Sequence, residues 1–415
     1  MGQPVYLIGS GSEIGALQGQ LCGAVLRERI GRVLIRAEKS GTAALLRERA
    51  ARLQSTLEAA APHWIEEARA MAHAAEVEAW AILAFNGLPM GFWGDDYRPA
   101  PLDLQNDWQR GPDEMVSAAD AQGYEPTLGG DCTAYFALGE ATIGGETIFH
   151  KNRDSPDEIQ NIYIKHCAGQ KRFVGAGDIG NLGTAHLFAE GGWAGANNTG
   201  SRIEAAEFRD CALNDCHVLR WLGEHCRDLD EIVPALQTLF DGDWMGGGGF
   251  NRGSIWLFAD AARGLVVEAT SHHMAHQWFE GDEICVRTNH FLLPEMTRYC
   301  RGAEPNSVRR FERASELWEE ARGVIGLATA AEIGRDRQGA PDAICVNPSD
   351  GFSGCTVSTS TVAMGRDVDT RGMHFRNCHP SYTHAIIVSP FDRVSDSDLL
   401  SGAHNQHWRN FRGWV

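Results

Sequence analysis

Apolar positions along this chain change their spacing once, near residue 132. Upstream, Leu17, Leu21 and Val25 recur every fourth position, and Ile30, Val33 and Leu34 continue the stripe, which predicts an amphipathic helix. A second such run opens at Ala61-Pro62 and continues towards Leu83. Proline suits a helix start because its missing N–H is not needed there, and Glu66-Glu67 fall near the positive end of the helix dipole. From Pro89 to Gly130 the period fades into Gly, Pro, Asp and aromatic residues, which predicts a long loop or linker. Downstream the pattern is strand, turn, strand. Thr133–Leu138 and Glu146–Lys151 flank Gly144-Gly145; Ser254–Ala259 and Leu265–Ala269 flank Asp260–Gly264; Thr356–Met364 and Gly372–Arg376 flank a polar turn. Helical stretches at about 205–240 and about 306–337 separate these hairpins. Hairpins with helices grouped between them predict an α+β fold with antiparallel sheets, divided into a helical segment 1–131 and a strand-rich part 132–415.

Composition narrows the partners. A formal net charge of -18 argues against nucleic acid or an anionic membrane surface. No apolar run is long enough to span a bilayer, and Met1–Ser12 lacks a signal-peptide pattern, so the expected location is the cytoplasm. Eleven cysteines, an odd number without a framework of paired spacings, fit reduced thiols. Cys211, Cys216 and Cys226 with His217 and His225 raise a zinc site, but the absence of a C-x-x-C pair favours buried core thiols. No metal or other cofactor is expected.

The chemistry concentrates at Cys132, in the run Gly129-Gly130-Asp131-Cys132-Thr133. A cysteine opening a strand after a flexible Gly-Gly becomes an N-terminal residue if the chain is cut between Asp131 and Cys132. Its α-amine, with a pKa of roughly 7.7–8, then serves as a built-in base for the thiol. Asp154 follows 22 positions later, down one strand and back up the next, where a carboxylate can steady that amine. Gly195-Ala196-Asn197-Asn198-Thr199-Gly200 reads as a tight turn whose amides could face an oxyanion. Thr288-Asn289-His290-Phe291 offers another amide at a strand end, and Arg310 lies at the start of a helix capped by Asn306 or Ser307. Each signal alone has a plainer reading: a core thiol, a solvated strand end, a simple turn, a surface charge.

In their order along the chain these motifs resemble the acyl-CoA:6-aminopenicillanic acid acyltransferase (isopenicillin N acyltransferase-like) family of N-terminal-nucleophile hydrolases. The resemblance spans nearly the whole chain. It includes Gly15 and Gly19, Ala61–Glu67, Asn86-Gly87, Cys132-Thr133-Ala134, Asn152-Arg153-Asp154, Gly195/Asn197/Gly200, Thr288–Phe291, Ser307 with Arg310, and Thr356–Val362. It implies a four-layer αββα sandwich, self-cleavage at Asp131-Cys132 and two chains that stay associated. By position Cys132 is the nucleophile, Asp154 holds its amine, Asn289 and Asn197 stabilise the oxyanion, and Arg310 is a buried arginine. Thr133 and Asn152 fall among the substrate-binding positions. Expected partners are a small N-acyl substrate, with an acyl-CoA donor or amine acceptor if acyl transfer occurs, and the cleaved N-terminal chain. Two points depart from the familiar pattern. Asp131 stands where glycine is usual, and Lys151 stands where the bile salt hydrolase branch carries arginine. Two other readings compete: a papain-like Cys–His hydrolase using His290 without self-cleavage, and a non-catalytic binding protein that keeps the fold.

Overall fold

The computed structural model describes residues 4–39, 41–87, 132–155, 160–249, 251–347, 355–365, 372–377, 379–380 and 385–390. The predicted linker at Pro89–Gly130, Asp131 and the polar turn after Met364 lie outside the described residues.

The chain opens with a strand that the helical pattern concealed, β1 (Val5–Gly9), and then four helices. These are α1 (Gly11–Lys39), α2 (Ala43–Ala60), α3 (Pro62–Ala75) and α4 (Ala79–Asn86). Helices α1 and α3 lie very close together, and glycine is the reason. A Cβ on Gly11, Gly15 or Gly19 would sit 2.3, 2.0 or 2.4 Å from the carbonyl oxygens of His63, Glu67 and Met71. These positions are four apart on both helices, so one glycine face of α1 runs along one backbone ridge of α3.

From Cys132 the chain builds β2 (Cys132–Ala137), β3 (Thr147–Ser155), β4 (Gln160–Cys167), β5 (Phe173–Asp178), β6 (His186–Ala189) and β7 (Ala194–Arg202). The stretch predicted as helix near 205–240 is two helices, α5 (Asp215–His225) and α6 (Ile232–Asp241), with α5 opened by an Asn214 capping box. Strands β8 (Arg252–Ala259), β9 (Gly264–Ala269), β10 (Met274–Phe279) and β11 (Ile284–Arg287) follow. Then come α7 (Pro294–Thr297), α8 (Pro305–Glu320), α9 (Leu327–Ile333), β12 (Cys355–Met364), β13 (Met373–Asn377) and β14 (Ile386–Val388). Helix α8 starts at Pro305 with Glu304 at its N-cap, ahead of the cap predicted at Asn306 or Ser307.

Among the described residues the strands form an eight-stranded sheet, in the order β1-β4-β5-β6-β7-β8-β9-β10, and a six-stranded sheet, β11-β2-β3-β12-β13-β14. Pairing is antiparallel except at one edge, where β1 runs parallel to β4. Side-chain alternation sorts the core into three layers. Trp256, Phe258, Leu265 and Val267 face a helical layer with Trp64, Met71, Leu219 and Leu222. Ile255, Leu257 and Val266 meet Ala134, Phe136 and Phe149 between the sheets. Tyr135, Ala137 and Ile148 face outward to Ala314 and Trp318 of α8 and to Ala330 and Ile333 of α9. The molecule is therefore an αββα sandwich.

The N-terminal helices are tied in by charge as well as packing. Glu67 Oε1 accepts from Lys165 of β4 at 2.8 Å, and its Oε2 accepts from Arg220 of α5 at 2.6 Å. Arg220 also holds Glu224 at 2.8 Å, and all four groups are buried. Burial raises the Glu67 carboxyl, but the two cations outweigh it and hold it below the usual range.

Candidate active site

Cys132 is the first residue of β2 and is buried. Its backbone N–H donates to Asn289 Oδ1 at 2.9 Å, and its carbonyl accepts from Arg310 at 2.7 Å. Arg310 also donates to Thr133 Oγ1 at 3.1 Å and to Asn289 Oδ1 at 2.8 Å. Among the described residues the acceptors of this buried arginine include a carbonyl, a hydroxyl and an amide oxygen. Asn289 in turn donates from Nδ2 to the Thr199 carbonyl at 2.7 Å, and its backbone N–H donates to Ser307 Oγ at 2.8 Å. Ser307 and Arg310 are three apart on α8, so they share one face and grip the same loop. The result is one hydrogen-bonded unit that joins Cys132 to both sheets and α8.

Register places the other candidates. Cys132 pairs with Arg153, and Thr133 with Asn152. Directly opposed residues share a face, so the Cys132 side chain lies on the face of Arg153 and Lys151, between the sheets. Asp154 is the next residue of β3, at the same end of the sheet but, by the same alternation, on the outward face; it is buried and accepts from Thr356 Oγ1 at 2.6 Å. The acceptor found on the Cys132 nitrogen is Asn289, so an amide expected to face the oxyanion also holds the Cys132 backbone.

Alternation also separates two expected residues from this cluster. Asn152 points outward: its Nδ2 donates to the carbonyls of Gly334 and Ile344 at 2.7 and 2.9 Å, and its Oδ1 meets His150 Nε2 at 2.8 Å. Gly195–Gly200 is not a turn but part of β7: Gly195 to Thr199 pair with β8, and Gly195 and Ala196 pair with β6 as well. Asn197 lies opposite Trp256 and faces the helices, with Nδ2 donating to Cys216 Sγ at 3.4 Å. Its carbonyl, rather than its amide, reaches the site, by accepting from Lys151 Nζ.

Lys151 and Asn198 were not among the candidates. Lys151 is fully buried and also donates to Asn198 Oδ1 at 2.8 Å. A charged residue two positions from Phe149, on the same inward-facing alternation of a strand, was the available signal; Asn198 carried none beyond its neighbour. His290 meets Ser307 Oγ at 2.8 Å and Thr288 Oγ1 at 3.2 Å, with its ring edge-on to Phe311. Burial, then Arg310 and Arg287, push it down to about 4. A neutral, weakly basic imidazole tied to Ser307 does not suit the thiolate–imidazolium pair of a papain-like site. Cys211, Cys216 and Cys226 are buried, and no group of three metal-ligating side chains converges among the described residues.

An αββα sandwich with a cysteine opening a central strand is the architecture of an N-terminal-nucleophile enzyme. Residues 146–362, just over half of the chain, match the family model for acyl-coenzyme A:6-aminopenicillanic acid acyl-transferase, and the chain belongs to that family. It is accordingly an enzyme of the amide hydrolase and acyltransferase class. Among curated proteins none matches. Solved structures similar to it include a variant of conjugated bile acid hydrolase from Clostridium perfringens, at 15% identity and a TM-score of 0.42, over 62% of this chain and 92% of that one. Another is the Caenorhabditis elegans ortholog of N-acylethanolamine-hydrolyzing acid amidase, at 13% identity and a TM-score of 0.37, over 55% and 92%.

Proposed function

We propose that the chain cuts itself between Asp131 and Cys132 and then acts as an N-terminal-cysteine amidohydrolase or acyltransferase on a small N-acyl compound. The supporting observation is the grip on Cys132 itself: its nitrogen on Asn289 and its carbonyl on Arg310. In the precursor the thiol attacks the Asp131 carbonyl and the peptide nitrogen leaves as the Cys132 amine. Water then hydrolyses the resulting thioester, leaving a carboxylate on Asp131. In the mature enzyme that amine takes the thiol proton as sulfur attacks the substrate carbonyl. Asn289 Nδ2 stabilises the tetrahedral oxyanion, an interaction worth roughly 2.7–4 kcal/mol in comparable sites. The proton passes to the departing amine, and a thioester on Cys132 remains. Water releases the acyl group as an acid; an acceptor amine releases it as a new amide. Asp154 and Arg310 position the nucleophile, and the N-terminal segment 1–131 stays bound as a separate chain.

The reading needs no cofactor, and a cytoplasmic location accords with it; no described helix is long and apolar enough to cross a membrane. Denatured intact mass is the test. Cleavage divides the 45.4 kDa chain in proportion to residues 1–131 and 132–415, giving pieces of about 14 and about 31 kDa. The Cys132→Ala variant should stay whole and inactive. Cleavage of that variant at the same bond would sink self-processing.

A further inference from the structure

Asn198 spans the space between the two sheets. It is fully buried, and alternation along β7 turns it away from Asn197 and towards the six-stranded sheet. Its Oδ1 accepts from Lys151 Nζ at 2.8 Å. Its Nδ2 donates to two successive carbonyls, Arg287 at 3.0 Å and Thr288 at 2.9 Å. The next residue in that direction is Asn289, and the next along β7, Thr199, accepts from Asn289 Nδ2 at 2.7 Å. Two adjacent residues of one sheet thus hold the backbone and the side chain of the segment that leaves the other.

We infer that Asn198 is a positioning residue, which fixes Asn289 from the opposite sheet while anchoring the Lys151 ammonium. The inference rests on the reading of Asn289 as the oxyanion donor. Side-chain chemistry explains why an asparagine stands here. Two carbonyls need two N–H donors, and an ammonium needs an acceptor; one amide group supplies all three. Aspartate keeps the acceptor for Lys151 but turns an oxygen towards the carbonyls. Glutamine keeps both functions on an arm one methylene too long for a filled site. An oxyanion donor works within a few tenths of an ångström, and a misplacement of about 1 Å costs about 10²-fold in rate.

Two reactions of Cys132 separate this role from a general structural one. Acylation by p-nitrophenyl acetate passes through an oxyanion: the thiol sulfur gains the acetyl group, its proton goes to the Cys132 amine, and p-nitrophenolate leaves. Alkylation by iodoacetamide displaces iodide at carbon and forms no oxyanion. In Asn198→Asp, acylation at Cys132 should fall about 10- to 100-fold while alkylation stays within about twofold of the native rate. Unchanged acylation, or both rates falling in proportion, overturns the inference. If Asn198→Asp does not fold, Asn198→Gln is read by the same two rates, and acylation that is not selectively slowed overturns it equally. A native protein that alkylates but never acylates at Cys132 defeats the oxyanion reading of Asn289 and the inference with it.

Discussion

At the scale of single residues, Arg310 is the group whose loss should tell most. It is buried, and it donates to the Cys132 carbonyl, Thr133 Oγ1 and Asn289 Oδ1. Hydrogen bonds from a charged donor contribute about 1.5–3 kcal/mol each, and a leucine would leave these oxygens without that donor. Arg310→Leu should lower the melting temperature and slow the appearance of the two cleaved masses; normal processing in that variant would remove Arg310 from the site. Asn289 and Arg310 were legible in the sequence because each belongs to a short motif at a strand end or helix start. Asn197 was misjudged beside Asn198 because side chains alternate along a strand. A one-residue difference in register moves an amide from the space between the sheets to the helical face. Periodicity reveals that alternation only where one face is polar, and both faces of β7 are buried.

At the scale of elements, the contact of α1 with α3 depends on having no side chain. A Cβ at Gly15 would lie 2.0 Å from the Glu67 carbonyl oxygen, and backbone cannot yield as a flexible side chain does. Gly15→Ala should therefore destabilise the protein, although alanine favours a helix interior. Forcing α3 outward also strains the Glu67 contacts with Lys165 and Arg220, so a loss of about 1–3 kcal/mol is expected from urea unfolding. A neutral or stabilising substitution would mean that the helices do not pack this closely. The helices themselves were readable from their apolar period. Strand β1 was not: Val5–Gly9 is a short run ahead of a long helix, and only pairing with β4 makes it a strand.

At the scale of the whole molecule, buried neutral histidines set the response to acid. Burial pushes His150 down to about 3, with Arg376 adding to the effect, and burial with Arg220 pushes His217 to about 3. His290 is held at about 4. In the unfolded chain these groups protonate near 6.5, so between about 6.5 and 4 the unfolded state binds more protons. The stability they contribute is fully present above pH 6.5 and is lost as pH falls, at up to about 1.4 kcal/mol per pH unit for each histidine. Glu304 adds a second loss at lower pH: burial raises its carboxyl, but Arg252 and Arg202 prevail and hold it at about 2. The urea midpoint should drop steeply from pH 7 to pH 4.5; a flat profile over that range would mean that these histidines are hydrated in solution.

The sequence by itself determined the class of the fold and pointed to Cys132 as the candidate nucleophile. Strand and helix periods and turn residues are local properties that follow from steric and solvation preferences of neighbouring residues, and the order of short motifs added the resemblance that singled out Cys132. The tertiary structure decided what faces what. It turned Asn197 and Asn152 away from Cys132, brought Lys151 and Asn198 towards the space between the sheets, and gave the Cys132 nitrogen to Asn289. Those contacts join residues far apart in the chain, and they exist only because two sheets pack face to face and fix the register in which their side chains meet.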